Sequence, residues 1–368
     1  MSGFVDSSAK YALHKAVFED NVAEMKSLLK SRSSDVFLRD PHGNTPLHLA
    51  VMLNHTTCIS QLLAKDAPVK MKNSQGWSPL SEAISYGNRP TITQLLKKLK
   101  SQARESIHGK KSAVIEALKK MPDFYLELKW DFHSWIPFVS SILPSDVCKI
   151  YKKGSMIRLN TTLINFNEKT WERGDVSFIY RAEFPPEDRA TIWDNKSKVY
   201  QKIRFQSTEH ETIDEVDMLM SNDITAGQVS TKILNFSRCK DGWIFPQPKT
   251  EQIGDYQADY YTVENLYVDT KRRREHLSAE DMKKNKAMMD ALKLGKFGDD
   301  EDLKQLKDVV KRKSLPPPPP CRTTWNEYIL APPGHPPCLG RPVVLKNSSK
   351  RFQATVAMST EFPLTVDA

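Results

Sequence analysis

The side chains best suited to chemistry in this sequence are nine histidines, five cysteines and a run of carboxylates at residues 209–223. Histidine and cysteine bind transition metals at fixed short spacings, and paired carboxylates support general acid–base catalysis. Here the histidines do not cluster at ligand spacing. The cysteines are scattered: Cys58, Cys148, Cys239, Cys321 and Cys338. The carboxylate run, EHETIDEVDMLMSND, contains no glycine, and we interpret it as a solvated, mobile loop.

Motifs that would indicate an enzyme are also missing. The sequence has no Gly-rich phosphate loop, no Gly-x-Ser-x-Gly elbow and no His-Glu-x-x-His helix. An odd number of scattered cysteines is typical of free thiols in a reducing compartment. No run approaches the roughly 18 apolar residues of a membrane-spanning helix, and no secretory signal is evident. We therefore expect a cytosolic, non-enzymatic protein without metal or cofactor.

The net charge of +9 and the pI of about 9.1 favour acidic partners or anionic surfaces. The stretch from Lys271 to Lys313 holds 14 Lys and Arg against 9 Asp and Glu, and a solvated helix face or a membrane-surface or nuclear-import role would explain it. Its opening residues Lys271, Arg272, Arg273 and Arg274 are the candidate contact with a membrane surface. The sequence has no zinc finger, no RNA-binding aromatic signature and no helix-turn-helix pattern, so nucleic acid is not an expected partner.

A repeat organises the N-terminal third of the chain. The stretch DPHGNTPLHLA, in which Gly43, Pro46, Leu47 and Ala50 stand, returns thirty-three residues later as NSQGWSPLSEA. A shift of 34 residues also aligns residues 13–29 with residues 47–63. This period and its Thr-Pro-Leu-His-x-Ala core are the signature of ankyrin repeats. The spacing predicts three repeats, since the next window in register lacks the glycine, the proline and the leucine pair.

Ankyrin repeats present their turn tips and a concave face to partner proteins, and catalysis is not expected of them. We interpret His48 as part of the repeat scaffold, held by a structural hydrogen bond. Trp77 would be the best anchor for a partner if it is exposed, and packing against the next turn is the alternative. The candidate partner contacts are the tip residues Arg39, His42, Lys72, Gln75 and Trp77.

A different periodicity begins at Asp123. Phe124, Leu126, Leu128 and Trp130 alternate with mostly polar neighbours, which is typical of a half-buried strand. Seven or eight such runs predict a mainly antiparallel sheet, barrel or sandwich over roughly residues 121–270. The expected fold class is therefore a multidomain α+β protein: an N-terminal ankyrin-repeat α-solenoid, then a mainly antiparallel β domain with a helical and proline-rich excursion.

The C-terminal third combines a charged helix, a proline tract and strand-like runs. Ser278 is a plausible cap for the helix, and KRKSLPPPPPC predicts an extended left-handed helix. An SH3 or WW-type domain could bind that tract, with a stiff linker as the alternative. Ser314 follows three basic residues and is a candidate phosphosite. The predicted domains are residues 1–100 (ankyrin repeats), 101–120 (connecting helix), 121–275 (β domain), 276–321 (charged helix and linker) and 322–368 (a strand-like segment returning to the β domain).

Several long stretches carry a family resemblance: GNTPLHLAVML, DFYLELKWDFHSWIPF, LPSDVCKIYKKG, KRRREHLSAED and ATVAMSTEFPL. Together they resemble the ankyrin repeat domain-containing protein 13 family, closest to its C-type branch, over nearly the whole chain. The resemblance implies a G-protein-coupled-receptor chaperone domain after the repeats. It also implies action at the cytosolic face of the endoplasmic reticulum, where the protein would bind new receptors, aid their maturation and control their release.

Two other functions stand beside this hypothesis. Other branches of the family carry ubiquitin-interacting motifs and act on endocytosed, ubiquitinated receptors. In this sequence the nearest acidic cluster, Glu280-Asp281-Met282, has its alanine at position 287, too far for such a motif. The third hypothesis is a lipid-binding β domain, because a barrel lined by aromatic residues can enclose a ligand. The resemblance favours the receptor-binding function, with a peripheral contact to the membrane.

Overall fold

The computed structural model describes residues 10–131, 145–167, 170–203, 207–230, 234–242, 245–293 and 312–361. The chain divides into two compact units. The first unit comprises Met1–Asn222 and His276–Arg341, and the second comprises Asp223–Glu275 and Pro342–Ala368.

Helix pairs with the ankyrin period begin the first unit. Two residues from each repeat explain how the pairs form. Pro46 and Pro79 occupy the first helical position, where a missing N–H costs nothing, and Thr45 and Ser78 cap the same helices. The helices are α1 (Ala12–Phe18), α2 (Val22–Ser31), α3 (Pro46–Met52), α4 (Thr56–Ala64), α5 (Pro79–Tyr86), α6 (Arg89–Gly109) and α7 (Lys111–Lys120), with a 3₁₀ turn at Ser33–Phe37. Three helix pairs, α1–α2, α3–α4 and α5–α6, confirm the ankyrin prediction.

The first unit continues with a six-stranded antiparallel meander in which each strand pairs with the next. Its strands are β1 (Phe124–Asp131), β2 (Ser145–Lys153), β3 (Met156–Asn167), β4 (Thr170–Arg181), β5 (Ala190–Asp194) and β6 (Val199–Lys202). A 3₁₀ turn, Pro186–Asp188, joins β4 to β5. Because partners in register share a face, the row Tyr125, Tyr151 and Arg158 lies on one face of this sheet.

The carboxylate run is a helix, and its interpretation as a mobile loop was wrong. Helix α8 (Glu209–Ser221) begins with a capping box in which Thr208 and Glu211 bond each other's backbone N–H groups. Val216 and Met220, four residues apart, are buried, and α8 packs on α6. The acidic side chains therefore lie on a packed helix and not on a loop.

The second unit is built around one long strand, β12 (Tyr256–Arg273). Strand β13 (Leu345–Met358) pairs with it along one side, and three shorter strands pair with it elsewhere. These are β7 (Ile224–Ser230), β8 (Asn235–Arg238) and β11 (Thr250–Ile253), with a small ladder of β9 (Lys240–Asp241) and β10 (Gln247–Pro248) beside them. The predicted single β region is thus two separate sheets, the first belonging to the unit that contains the repeats.

Helix α9 (Ala279–Lys293) follows β12, and Ser278 and Asp281 cap it reciprocally as the sequence predicts. The stretch TTWNEYI was expected to be strand-like, but it forms the short helix α10 (Trp325–Ile329), capped by Thr324 and Glu327. Residues 312–341, which we call the strap, belong to the first unit and not to the β region. Only from Leu345 does the chain run in the second sheet.

Candidate partner-binding surface

The turn tips of the repeats form a hydrogen-bonded ladder. Asp40 Oδ1 accepts the N–H groups of His42 and Asn44 at 2.8 and 2.9 Å. Asn73 occupies the equivalent place one repeat later and accepts the N–H groups of Gln75 and Trp77. The two tips are joined because Asn73 Nδ2 donates to Asn44 Oδ1 at 2.9 Å. The tips therefore act as one rigid edge of the repeat stack.

Glycine is required at the tips. Gly43 and Gly76 have φ values of 76° and 94°, in the left-handed region where other residues are strained. At Gly43 a Cβ atom would also lie 2.5 Å from Ser74 Oγ of the next tip. The positive φ at both positions confirms the turn predicted from the repeat.

His48 is a scaffold residue, as the sequence predicts. Its Nδ1 accepts the Thr45 N–H at 3.0 Å, so Nε2 carries the proton and donates to the Trp77 carbonyl at 3.1 Å. Burial lowers the pKa of His48 to about 4. A neutral imidazole with both nitrogens occupied links two repeats and is not available for acid–base chemistry.

The strap covers this edge of the repeats through Tyr328, which is fully buried. The Tyr328 hydroxyl donates to Asp40 Oδ2 at 2.5 Å and accepts from Asn44 Nδ2 at 2.9 Å. The Tyr328 carbonyl accepts from His42 Nε2 at 2.9 Å. Burial, with the negative charge of Asp40, raises the pKa of Tyr328, so the hydroxyl keeps its proton.

Aromatic packing reinforces these polar contacts. The rings of Trp325 and Tyr328 both contact Phe18 of the first repeat, at centroid distances of 5.6 and 5.4 Å. The Tyr328 ring also lies 4.9 Å from the His42 ring. Edge-to-face and tilted pairs at these distances stabilise by about 0.5–1.5 kcal/mol each beyond their burial. Helix α10 therefore belongs to the core of the repeat unit.

Both ends of the strap are fixed to the third repeat. At its start, the Leu315 N–H donates to the Gly87 carbonyl at 2.9 Å, and the Leu315 side chain packs where a Cβ of Gly87 would be. At its end, Arg341 donates to the carbonyls of Ser85 and Tyr86, at 3.2 Å each, and to that of Pro316. The strap is therefore held at its start, its middle and its end.

A buried ionic cluster anchors the start of the strap to α8. Asp217 is 1% exposed and pairs with Arg89 of the third repeat, while its Oδ1 also accepts the Arg312 N–H at 2.7 Å. The Arg312 guanidinium in turn pairs with Asp281 of α9. Burial alone would raise the pKa of Asp217, but the hydrogen bonds from Arg89 and Arg312 outweigh it and hold that pKa below its usual value.

The five predicted tip contacts differ in their exposure to solvent. Arg39 and Lys72 are exposed, and Gln75 is half-buried, with its Nε2 3.5 Å from the Gly334 carbonyl of the strap. His42 and Trp77 are 1% and 2% exposed, so the prediction that they contact a partner does not fit them. The reason is that the strap covers His42, while Trp77 packs inside the repeats, the alternative raised from the sequence.

The basic run on β12 is mostly neutralised. Arg273 and Glu275 form a buried pair at 2.6 Å, both side chains 2% exposed, so a membrane contact does not fit Arg273. Arg274 is paired with Asp223 at 2.9 Å, and Arg272 lies 4.0 Å from the same carboxylate. Among the four residues only Lys271 is exposed. Lys271, Arg272 and Arg273 lie on β12 and Arg274 directly follows it, while the helix within the basic stretch 271–313 is α9.

The proline tract and Ser314 lie on the strap. Four of the five prolines are exposed and Pro318 is half-buried, so binding of an SH3 or WW-type domain stays a prediction. The tract is not a free excursion, because its flanks bond to the third repeat. Ser314 is exposed, and its Oγ accepts the Arg89 N–H at 3.1 Å. Phosphorylation of Ser314 also stays a prediction.

The first sheet carries a second surface that the sequence did not single out. On one face, Tyr125 pairs with Tyr151 and Trp193 pairs with Tyr200, at ring distances of 4.8 and 6.0 Å. All four rings are at least 40% exposed. The Arg158 guanidinium lies 5.9 Å from the Tyr151 ring on the same face. We call these five residues the aromatic face.

The aromatic face is unusual because most large apolar side chains are buried when a domain folds. Exposed clusters of this kind, rimmed by charged groups, mark protein interaction sites. In the register of the sheet, Lys149 lies in the row of Trp193 and Tyr200, and Lys202 lies in the row of Tyr125 and Arg158. Lys149 lies 3.6 Å from Glu127 and Lys202 pairs with Asp188, so the face combines exposed rings with a rim of paired charges.

No group of metal-binding side chains comes together in the part of the chain that the structure describes. Within the same residues, no helix has both the length and the apolar character needed to cross a membrane.

The helix pairs, the tip ladder and the appended sheets define an ankyrin-repeat protein with a mainly antiparallel β region. Two family models match the chain: "Ankyrin repeats (3 copies)" over residues 13–105 and "ANKRD13 C-terminal" over residues 158–368. The chain belongs to the ankyrin repeat domain-containing protein 13 family.

Curated relatives match nearly the whole chain. It is 49% identical to zebrafish (Danio rerio) ankyrin repeat domain-containing protein 13C over 99% of its length, and 50% identical to the human 13C protein over 98%. Human ankyrin repeat domain-containing protein 13B is 30% identical over 97% of the chain. The chain spans 73%, 65% and 59% of the lengths of these three relatives.

Proposed function

We propose that this protein is a non-enzymatic chaperone or retention factor that holds cytoplasmic segments of G-protein-coupled receptors. It would act at the cytosolic face of the endoplasmic reticulum as a peripheral membrane protein, aiding receptor maturation and regulating exit. The ankyrin repeats imply protein partners, and the resemblance to the C-type branch of the family supports receptors as those partners.

The aromatic face is the observation that carries this proposal. Its four exposed rings offer the kind of side chain that dominates protein interfaces. The exposed lysines Lys149 and Lys202 lie in the same rows, each paired with a carboxylate. The tips of the repeats are less available, because the strap occupies the edge around His42. On the repeats, Arg39 and Lys72 remain the proposed contacts, since both are exposed.

Receptor capture from cells tests the proposal. A double variant, Trp193→Ser with Tyr200→Ser, should weaken co-precipitation of a co-expressed receptor about tenfold or more, because truncating an aromatic contact residue costs about 2 kcal/mol or more. Phe245→Ser is the matched control: Phe245 is 80% exposed and lies in the second unit, so capture should not change. Undiminished capture by a folded double variant would remove the aromatic face as the binding surface.

An endocytic adaptor for ubiquitinated receptors and a lipid-binding β domain are the alternatives. A pull-down with purified ubiquitin on beads tests the adaptor function, since an adaptor for ubiquitinated receptors would bind ubiquitin. Native mass spectrometry of the purified protein tests the second, since a lipid carrier would retain a bound lipid.

A further inference from the structure

A groove of about 830 Å³ lies in the first unit, away from the tips of the repeats. One wall is the second half of α6, from Ser101 to Gly109, and the other is formed by the Pro186–Asp188 turn with its neighbours and the end of β6. This volume lies within the range of about 300–1,000 Å³ that ligand pockets occupy. The apolar lining comes from Ile107, Pro186 and Ile203.

Arg189 gives the groove its chemical character. The side chain lines the groove but is only 5% exposed. Its single hydrogen bond in the described chain is a long one, from Nη2 to the Phe184 carbonyl at 3.5 Å, and Nε has no partner at all. Guanidinium groups keep their charge in proteins, and a buried charge is almost always paired with an anion.

The neighbouring carboxylates do not supply that anion. Asp188 is engaged with Lys202, and Glu105 accepts from Ser101 Oγ at 2.9 Å on its own helix. Glu187 lines the groove and is exposed, but it forms no ion pair with Arg189. A buried guanidinium that lacks an acid at the wall of a ligand-sized groove indicates that the acid comes with the ligand.

The shape of the groove decides between two kinds of anion. A long hydrocarbon chain with an acidic head needs an enclosed apolar tunnel, whereas Ile107 is 55% exposed and the rim is charged, with Arg104 and Glu105 on one wall. A peptide suits such a rim, because its own polar backbone remains in water while one acidic and a few aliphatic side chains enter the groove.

We propose that this groove binds a short peptide segment in which a glutamate or aspartate, flanked by aliphatic side chains, pairs with Arg189. The inference rests on the proposed function and deepens it, since it names the kind of sequence that a captured receptor segment would carry. The carboxylate would form charge-assisted hydrogen bonds with the guanidinium, including the unsatisfied Nε.

The test measures fluorescence anisotropy of the full chain with a labelled decapeptide that has one glutamate between two pairs of leucines in a serine–glycine frame. The glutamine counterpart of this peptide should bind about 10- to 100-fold more weakly, and so should the glutamate peptide to an Arg189→Met variant. Arg351→Met is the matched control, because Arg351 is exposed, lies in the second unit and belongs neither to the groove nor to the aromatic face. Octanoate is the competing small-molecule probe.

The thermal stability of Arg189→Met distinguishes binding from a structural role. Because the variant removes a buried charge that has no anion, its melting temperature should stay the same or rise. Equal binding of the two peptides, unchanged binding by Arg189→Met, or marked destabilisation by it would overturn the inference. Binding of octanoate without the glutamate peptide would also overturn it, since the ligand would then be a small anion.

Comparing peptide binding with receptor capture by the wild-type chain separates this inference from the proposed function. If the peptides fail to bind while the wild-type chain still captures receptors, the groove is not the site but the proposed function stands. If the glutamate peptide binds as expected and no receptor is captured, the groove inference holds and the receptor assignment fails.

Discussion

Replacing Tyr328 with phenylalanine should loosen the strap without changing its packing. The substitution removes one hydroxyl, which donates to the buried carboxylate of Asp40 and accepts from the buried amide of Asn44. A hydrogen bond to a charged group contributes about 1.5–3 kcal/mol and a neutral one about 0.5–1.5 kcal/mol. The sum is about 2–4.5 kcal/mol, which corresponds to an increase of about 30- to 1,600-fold in the detached state of α10.

Hydrogen exchange read by mass spectrometry is the suitable assay, because a chain with two units need not unfold in one step. In Tyr328→Phe the tip amides of His42 and Asn44 should exchange faster than in the wild type, while amides of the second unit should not change. The matched control is Tyr125→Phe, whose hydroxyl bonds Glu127 on the exposed sheet face. Unchanged exchange in the tips of Tyr328→Phe, or an equal effect of Tyr125→Phe, would refute the role assigned to the strap.

Three further changes test other parts of the structure. Asp217→Asn leaves the Arg89 charge without its carboxylate and weakens the bond from the Arg312 N–H, so it should lower the free energy of unfolding of the first unit by about 3–5 kcal/mol, measured by urea titration; an unchanged midpoint contradicts it. Burial opposes ionisation of Asp146, but hydroxyl and N–H donors outweigh it and lower its pKa to about 2. Since the folded pKa is depressed, its contribution of about 2 kcal/mol is present above pH 4 and lost between about pH 4 and 2, so acid titration should find that loss missing in Asp146→Asn. Ellman's reagent should label exposed Cys338 first and Cys58 very slowly, because burial and the nearby Asp20 raise the Cys58 pKa to about 12; rapid modification of Cys58, located by peptide mapping, would contradict the assignment.

The repeats were predictable because their signals are local and recur. Gly43, Pro46 and His48 each have a role that the backbone dictates within a few residues, and the structure assigns the same roles. Burial at the tips was not predictable in the same way. The covering residue Tyr328 lies 288 positions from its partner Asp40, and no pattern in either segment indicates the other.

Helix α8 shows a local signal that was overlooked. Thr208 and Glu211 have the spacing of a capping box, and Val216 and Met220 are four residues apart, as on one helix face. Charge density suggested a solvated loop, but the apolar positions decide whether a segment packs. The short helix α10 was missed for a related reason: WNEYI is rich in β-favouring side chains, yet the capping box of Thr324 and Glu327 starts a helix.

The β region was predicted as one domain, a sheet, a barrel or a sandwich, and not as two sheets that belong to separate units. Alternation identifies a strand because it reports one buried face. It does not reveal that the other face can also carry large side chains, as in β1, where Phe124 and Tyr125 lie on opposite faces. Alternation also says nothing about partners, and β12 bonds to four other strands that come from both sides of it in the sequence. The aromatic face likewise depends on strand pairing, that of the first sheet, since its rings come from β1, β2, β5 and β6.

The most direct test of the central claim is crosslinking mass spectrometry with a lysine-reactive reagent on endoplasmic reticulum membranes that contain a co-expressed receptor. Lys149 and Lys202 lie in the rows of the aromatic face, and both are exposed. We expect crosslinks from these two lysines to a cytoplasmic segment of the receptor. Receptor crosslinks found only at lysines of the second unit, such as Lys346 and Lys350, would contradict the central claim.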